Sequence, residues 1–542
     1  MANKNILLIE PSYKNKYPPL GLMKLAAYHG PYGKQDHVTF IKGEDKRALG
    51  TAWDRIYITT LFSFEFARIK QSIDFALHVA HRNADKIFVG GIAASLMPEL
   101  FEANPEWRGI RFIKGLLSDA PAISLRLDEF SEELYSDDQW STPIEDLIPD
   151  YSILDQIKDQ YTYPVHDAYF AYASRGCIRK CSFCGVPKLE GAQRDANSIT
   201  ALVHGIQARH GVKKDLILMD NNVVASPRFH EIIAEIRGLG FTKDAKLTTG
   251  RIPVQRRVDF NQGVDARILC KDPVFLRELS TICLKPLRIA FDHLGLKTPY
   301  ERAVRYAHDV GLFSMSNYML YNFHDSPADL FERMRLNVAL NEELGLRIWS
   351  FPMRYQPTNL PDRSHVGEKW TRYQLRNMQL ILQATHGVVS GDPSFFKRAF
   401  GDTIQDFEKL LWLPHHYVFN RDWYEKFDGR AEFEDYRSAM RRLSSCEHDE
   451  LHQLLNDVDP SELRGQLGHA RTARVRDILT YYLPLSKQAE AELWKRQQAL
   501  KTMEDPSVIV PDDERVEDAG LHAEEPPQAN PKKAAKLEVV LV

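Results

Sequence analysis

The sequence contains no run of roughly 18 apolar residues, the length a membrane-spanning helix needs. It has little cysteine: six residues in 542, and none before Cys177. A structural zinc site usually closes on four ligands, often two C-x2-C pairs, and here only Cys181 and Cys184 form such a pair. An excess of one charge is also missing. The 70 Lys plus Arg against 74 Asp plus Glu leave a net charge of -4, so nothing in bulk attracts nucleic acid or an anionic membrane. The opening MANKNILLIEPSY has too short an apolar stretch for a signal peptide. Together these absences predict a cytoplasmic, reducing setting, where clustered thiols bind metal rather than pair as disulfides.

What is present divides along the chain. Residues 1–125 alternate short apolar runs (Ile6 to Ile9, His37 to Ile41, Arg55 to Thr60, Lys86 to Val89, Arg111 to Lys114) with helical patterns such as ARIKQSIDFALHVAHR. Buried runs alternating with amphipathic helices predict a doubly wound parallel sheet, with ligands at the carboxyl ends of its strands. Residues 126–166 read as an acidic connector. A second alternating series follows over 167–357, with strands expected at 168–174, 216–221, 256–266, 287–293, 313–323 and 346–355. Several of the helices between them start with Ser, Thr or Asp before Pro, which suits a helix N-terminus. Six β/α units in a row predict a barrel or partial barrel with its chemistry at the carboxyl ends of the strands. Residues 358–500 read as mainly helical, and 501–542, charged and Pro-rich, as a disordered tail.

The informative stretch is SRGCIRKCSFCGVPKLEG, residues 174–191, where Cys177, Cys181 and Cys184 lie on a loop after the first expected barrel strand. Soft thiolates suit zinc or iron–sulfur clusters. Three of them on a four-iron cluster leave one iron open for chemistry. CIRKCSFC matches C-x3-C-x-aromatic-C at every position, and on these residues the sequence resembles the radical S-adenosylmethionine (SAM) superfamily, over roughly residues 165–357. The resemblance implies a (β/α)6 partial TIM barrel and a 4Fe-4S cluster on Cys177, Cys181 and Cys184. SAM would chelate the open iron, and an electron from the cluster would break a carbon–sulfur bond of SAM. The resulting 5'-deoxyadenosyl radical would abstract hydrogen from substrate. It also implies an external electron donor such as flavodoxin or ferredoxin.

On the same resemblance, Phe183 packs over the cluster, and Asp220, Asn221 and Asn222 meet the SAM amino group. Asn261, Gln262, Asp265 and Arg267 lie along the third strand, Arg267 to pair the SAM carboxylate and Asp265 a ribose hydroxyl, and Asp292 ends the fourth. Tyr318, Asn322, Arg354 and Tyr355 are candidate substrate contacts. Unpaired polar groups are costly inside a barrel, so their density points to a ligand. Mutual hydrogen bonding and helix capping are the alternative.

The first 125 residues resemble the cobalamin-binding Rossmann domain that precedes some radical SAM barrels. The likeness rests on ILLIEPSY…YPPLGLMKLAAY, KIFVGGIAASLMPE and the connector IEDLIPDYSIL. The resemblance makes Pro19, Gly21, Ser63, Gly90, Gly91 and Gly115 candidate cobalamin contacts. Two departures stand beside it. No D-x-H-x-x-G motif is present, so no histidine is expected to ligate cobalt, and the family's acidic G-E-x-E turn is replaced by GLLSD at Gly115 to Asp119. With no cysteine ahead of Cys177, a methylthiotransferase-type second cluster is excluded, and Cys270 and Cys283 read as small core residues. His415 and His416 read as a packed or surface pair.

Three functions compete at this point. The first is cobalamin-dependent radical C-methylation, in which one SAM methylates cobalamin and another supplies the radical. The second is radical rearrangement, cyclisation or oxidation with a vestigial first domain. The third is a non-catalytic sensor of cluster and SAM. The expected substrate is a small molecule or peptide, with neither membrane nor nucleic acid as partner.

Overall fold

The computed structural model describes residues 3–117, 143–250, 252–456 and 462–501. Part of the connector, Ser118 and Asp119 of the GLLSD turn, and residues 502–542 of the tail lie outside the described residues. The chain divides into two units. The first runs to Tyr318 and adds Leu344–Ile348 and Arg354–His365; the second takes Met319–Glu343, Trp349–Met353 and the described residues from Val366 on.

Five apolar runs form the strands of one sheet: β1 (Asn5–Glu10), β2 (His37–Lys42), β3 (Arg55–Thr59), β4 (Ile87–Gly90) and β5 (Arg111–Phe112). Their order is β2-β1-β3-β4-β5, and every pair is parallel. Side chains alternate between faces with period two. On one face Leu7, Ile9, Ile56 and Ile58 share a core with Ile69, Ile73 and Ala76 of α2 (Phe66–Val79). The intervening Ile6, Leu8, Phe40 and Tyr57 are buried on the face that α1 (Leu20–His29) covers. Each fully buried Leu or Ile contributes roughly 2 kcal/mol of transfer free energy. Strand order reverses at β1, and such a reversal opens a crevice beyond the carboxyl ends of the strands.

The second series also forms strands in all six expected segments. After β6 (Ala168–Ala171), a short hairpin pairs β7 (Ser174–Arg175) with β8 (Arg194–Asp195). Next come β9 (Asp215–Leu218), the hairpin β10 (Lys246–Leu247) and β11 (Val254–Gln255), and β12 (Val258–Phe260). The series ends with β13 (Leu287–Arg288), β14 (Ser314–Tyr321) and β15 (Arg347–Arg354). β6, β9 and β12 form a parallel sheet in that spatial order, and a second sheet runs β13-β14-β15. Parallel bridges from Val258 to Leu284 and from Val264 to Ile289 join the β12 edge to the β13 segment. Of the expected caps, Ser226, Asp272 and Ser326 accept N–H groups at Arg228, Val274 and Asp329, whereas Thr298 falls inside the helix Lys297–Asp309 and does not cap it.

In the second unit no strand follows Arg354 among the described residues. Capping boxes, Thr371 with Gln374 and Thr403 with Asp406, open two of the helices in this unit. Tyr373 stacks between Trp412 and His415, and Trp370 is buried. Burial holds His416 down at about 4, a packed residue. Among the described residues no helix is long and apolar enough to cross a membrane.

Candidate functional site

The cysteine loop is launched by a glycine that accepts no side chain. Gly176 has φ +74°, and a Cβ there would lie 2.2 Å from the carbonyl oxygen of Ala192. Cys177, Cys181 and Cys184 follow, all free and partly exposed. The loop is tied internally. Cys177 N–H donates to Gly191 O at 3.3 Å, and Cys184 N–H to Cys181 O at 3.0 Å. Two thiols receive backbone N–H groups, Cys177 from Arg179 at 3.3 Å and Cys184 from Val186 at 3.4 Å. Burial pushes the Cys181 and Cys184 thiols up; Asp292 adds to the rise at Cys181, and Cys181 and Cys177 add to it at Cys184. Thiols bind metal as thiolates, so binding here must release their protons.

Several strand-end residues gather at this loop. Asp265 caps the helix Ala266–Leu269 through Arg267 N–H and also receives Arg267 Nε at 2.8 Å and Arg179 Nε at 2.7 Å. Burial raises the Asp265 carboxyl, but the hydrogen bonds from Arg267 and Arg179 outweigh it and hold it below the usual range. Arg267 in turn feels the charges of Cys181 and Asp292. Asn222 is buried, and its carboxamide oxygen accepts Asp265 N–H at 3.3 Å. Phe183 and Asp292 are half-buried and Gln262 is exposed.

Other expected contacts are spent on structure. Asp220 is buried and accepts the N–H groups of Ala173 and Ser174 and the Ser174 hydroxyl. It therefore anchors the approach to the cysteine loop, and burial pushes it up to about 6. Asn221 bonds Glu190 Oε2 at 3.0 Å. Asn261 accepts the Tyr17 hydroxyl at 2.6 Å, and its main-chain oxygen accepts the Tyr318 hydroxyl at 3.2 Å. Arg354 donates to the carbonyls of Arg363 and His365, and Tyr355 packs edge-on to His365. Asn322 falls in the second unit, at φ +67° with its carboxamide oxygen on Gly367 N–H.

Beside the loop lies a largely apolar cavity of about 250 Å³. Its walls include the start of α1, the carboxyl ends of β3 and β4, and the turn after β5. Four of the six expected contacts line it: Gly21, Gly90, Gly91 and Gly115. Pro19 caps α1 and Ser63 opens a short 3-10 turn; neither reaches the lining. Gly91 has φ +107°, and a Cβ there would lie 2.7 Å from Thr60 O, so only glycine lets these two strand ends approach. A Cβ on Gly21 would project to within 3.9 Å of Leu117 Cδ1 across the cavity. The helix Ile92–Leu96 carries on to the cysteine loop, where a Cβ on Gly185 would lie 3.0 Å from Leu96 Cδ1.

Charged residues that carry no motif form the remaining wall. Lys24 pairs with Glu145 at 3.1 Å, Glu145 with Arg175 at 2.6 Å, and Arg175 with Glu190 at 3.3 Å. Arg175 also stacks on Tyr172 at 3.5 Å. Nothing in SRGC or KLEG marks Arg175 and Glu190 beforehand; their partners are far apart in sequence.

Among the described residues no three His, Cys, Asp or Glu side chains converge on a point suited to one metal ion. A cluster takes each thiolate on a separate iron and needs no such convergence. Three free cysteines, N–H groups on two sulfurs and the Arg179–Asp265–Arg267 group beside them suit an anionic cluster with an open iron. The glycine-lined apolar cavity suits a flat ring or its appended base.

No protein-family model matches the chain, and no curated protein matches it in sequence. Among solved structures, the radical S-adenosylmethionine methyltransferase TsrM from Kitasatospora setae, with cobalamin and a [4Fe-4S] cluster bound, is similar at 15% identity. That match covers 66% of this chain and 77% of that one, with a TM-score of 0.44. TsrM with tryptophan substrate and the SAM analogue aza-SAM is similar at 14% identity, over 75% and 89% of the two chains, TM-score 0.45. Streptococcus suis SuiB bound to precursor peptide SuiA is similar at 12% identity, over 54% and 68%, TM-score 0.27.

Proposed function

We propose that this chain is a cobalamin-dependent radical SAM enzyme that methylates an unactivated carbon of a small molecule or peptide. The observation that carries the reading is the C-x3-C-x-F-C loop, pinned by Gly176 and Asp220 and flanked by the apolar cavity at the ends of β3 and β4. In this reading the two three-stranded sheets and their bridges form a partial barrel. Cys177, Cys181 and Cys184 hold a 4Fe-4S cluster, and Gly21, Gly90, Gly91 and Gly115 accommodate cobalamin.

When bound, the cluster supplies one electron and cobalamin a transferable methyl group. Arg267, oriented by Asp265, pairs with the SAM carboxylate, and Asn222 holds Asp265 in register with the loop. Phe183 shields the sulfurs from water. The electron comes from an external donor of the flavodoxin or ferredoxin type.

The test is anaerobic reconstitution with iron, sulfide and hydroxocobalamin, followed by product analysis with SAM and a reductant. The reading expects about four irons and one cobalamin per chain, with both 5'-deoxyadenosine and S-adenosylhomocysteine formed. Cys181→Ala should abolish iron loading and both products. Formation of 5'-deoxyadenosine without cobalamin uptake would replace methylation by another radical reaction. Failure of wild-type protein to load iron would overturn the reading altogether.

A further inference from the structure

The wall of the cavity and the anchor of the cysteine loop are one side chain. Glu190 lines the cavity together with Arg175, Glu145, Lys24, Tyr172 and Leu189. Its Oε2 accepts Gly176 N–H at 2.8 Å and Asn221 Nδ2 at 3.0 Å, while its Oε1 faces Arg175 at 3.3 Å. Gly176 immediately precedes Cys177, and Gly191, immediately after Glu190, accepts Cys177 N–H. The first cysteine is therefore held, through its own N–H and that of the residue before it, by the two-residue segment Glu190–Gly191.

From Glu190 the pairs continue through Arg175 and Glu145 to Lys24 on α1. Glu145, Arg175 and Glu190 have side chains only 10–14% exposed. Partly buried ion pairs with several hydrogen bonds resist rearrangement of a single member, because one displaced charge leaves its partner uncompensated.

We propose that Glu190 is a positioning residue that couples occupancy of this cavity to the geometry of the cysteine loop. Material filling the cavity presses on Arg175 and Glu190, and Glu190 passes the displacement to Gly176 and so to Cys177. The occupant inferred here, cobalamin, rests on the function proposed above; the coupling does not.

The experiment uses full-length protein reconstituted with 57Fe and sulfide and read by Mössbauer spectroscopy of the oxidised cluster, which sees iron alone. Two fillings of the cavity are compared with the unfilled protein: added hydroxocobalamin, and Gly21→Phe, which fills it from α1. Wild-type spectra should shift in quadrupole splitting with either filling. In Glu190→Gln, one oxygen still serves Gly176 while the ion pair with Arg175 is lost. Iron content should then be retained and the shift lost. Glu190→Ala, which unties Gly176, should lower iron content severalfold. The proposal is overturned if neither filling moves the wild-type spectrum, if Glu190→Gln shifts as wild type does, or if Glu190→Ala loads iron normally. If hydroxocobalamin does not bind but Gly21→Phe moves the spectrum, the cobalamin reading fails and the coupling stands.

Discussion

The hydroxyl of Tyr17 donates to the carboxamide oxygen of Asn261 at 2.6 Å across 244 residues of sequence. Tyr17 lies on the loop between β1 and α1, and Asn261 directly follows β12, so this bond ties the crevice of the first sheet to the end of a strand in the second series. Asn261 is buried, and among the described residues its side-chain nitrogen meets the Met219 sulfur at 4.0 Å. Tyr17→Phe would leave the Asn261 carbonyl unpaired, a cost of about 1–2 kcal/mol. The urea midpoint of the first unit's signal should move to lower concentration, by that free energy divided by the m-value, with iron loading retained.

Gly176→Ala should be far more damaging than its size suggests. The left-handed backbone costs an alanine roughly 1–2 kcal/mol, and the added Cβ would sit 2.2 Å from a main-chain oxygen that cannot rotate away. Reconstituted Gly176→Ala should hold well under half the wild-type iron, measured per folded chain. Iron content equal to wild type would mean that the turn is not what positions Cys177.

Gly21 presents the opposite case. A Cβ there has open space apart from Leu117 at 3.9 Å, and Ala favours a helix over Gly by roughly 0.5–1 kcal/mol. Gly21→Ala should be neutral or stabilising in thermal unfolding. Gly21→Phe should fold but take up little hydroxocobalamin, read from the corrin absorption after gel filtration.

Stability should fall as pH is lowered from 6.5 towards 4. Burial holds His29 at about 4 despite Asp36 at 2.9 Å, and Arg55 adds to the depression. Its remaining ring nitrogen meets the Tyr57 hydroxyl at 2.8 Å. The unfolded chain binds a proton near 6.5 that the folded chain refuses, so the contribution is complete above 6.5 and lost on the way to 4. For His29 this is on the order of 3 kcal/mol. His416 and His452 are shifted the same way, both to about 4. Asp220 opposes them. Raised to about 6, it favours the fold at low pH and loses that contribution as pH rises through 6. Burial raises Asp215 and Asp325 as well. His210 is also held down, however, and hydrogen bonds hold Asp45 and Asp265 below the usual carboxylate range. The lowered groups outnumber the raised ones and set the sign. Urea midpoints of cluster-free protein across pH 4–7 should show the decline, and His29→Gln should flatten it for the first unit.

Legibility from sequence followed the range of the interactions involved. The strands of the first sheet fall where the apolar runs put them, because burying a parallel sheet on both faces demands uninterrupted Ile, Leu and Val. The close spacing of the three cysteines and of the glycine pair is also visible in the sequence, since each lies within one short segment. The partners of Asp220 were not legible: a carboxylate at a strand end looks the same in sequence whatever it meets, and here it accepts the N–H groups of Ala173 and Ser174. Asn322 and Arg354 were chosen for their places on or beside strands, but their hydrogen bonds run to Gly367, Arg363 and His365 in neighbouring loops.

The sequence alone determined the donor set at the loop, three thiols spaced C-x3-C-x2-C, whatever surrounds them. Only the tertiary structure decided what holds that loop and what adjoins it. Glu190, Arg175, Glu145 and Lys24 come from four separate segments, and Tyr17 meets Asn261 across most of the first unit. Such contacts leave no periodicity or spacing in the sequence, because charge pairing depends on distance in space and not along the chain.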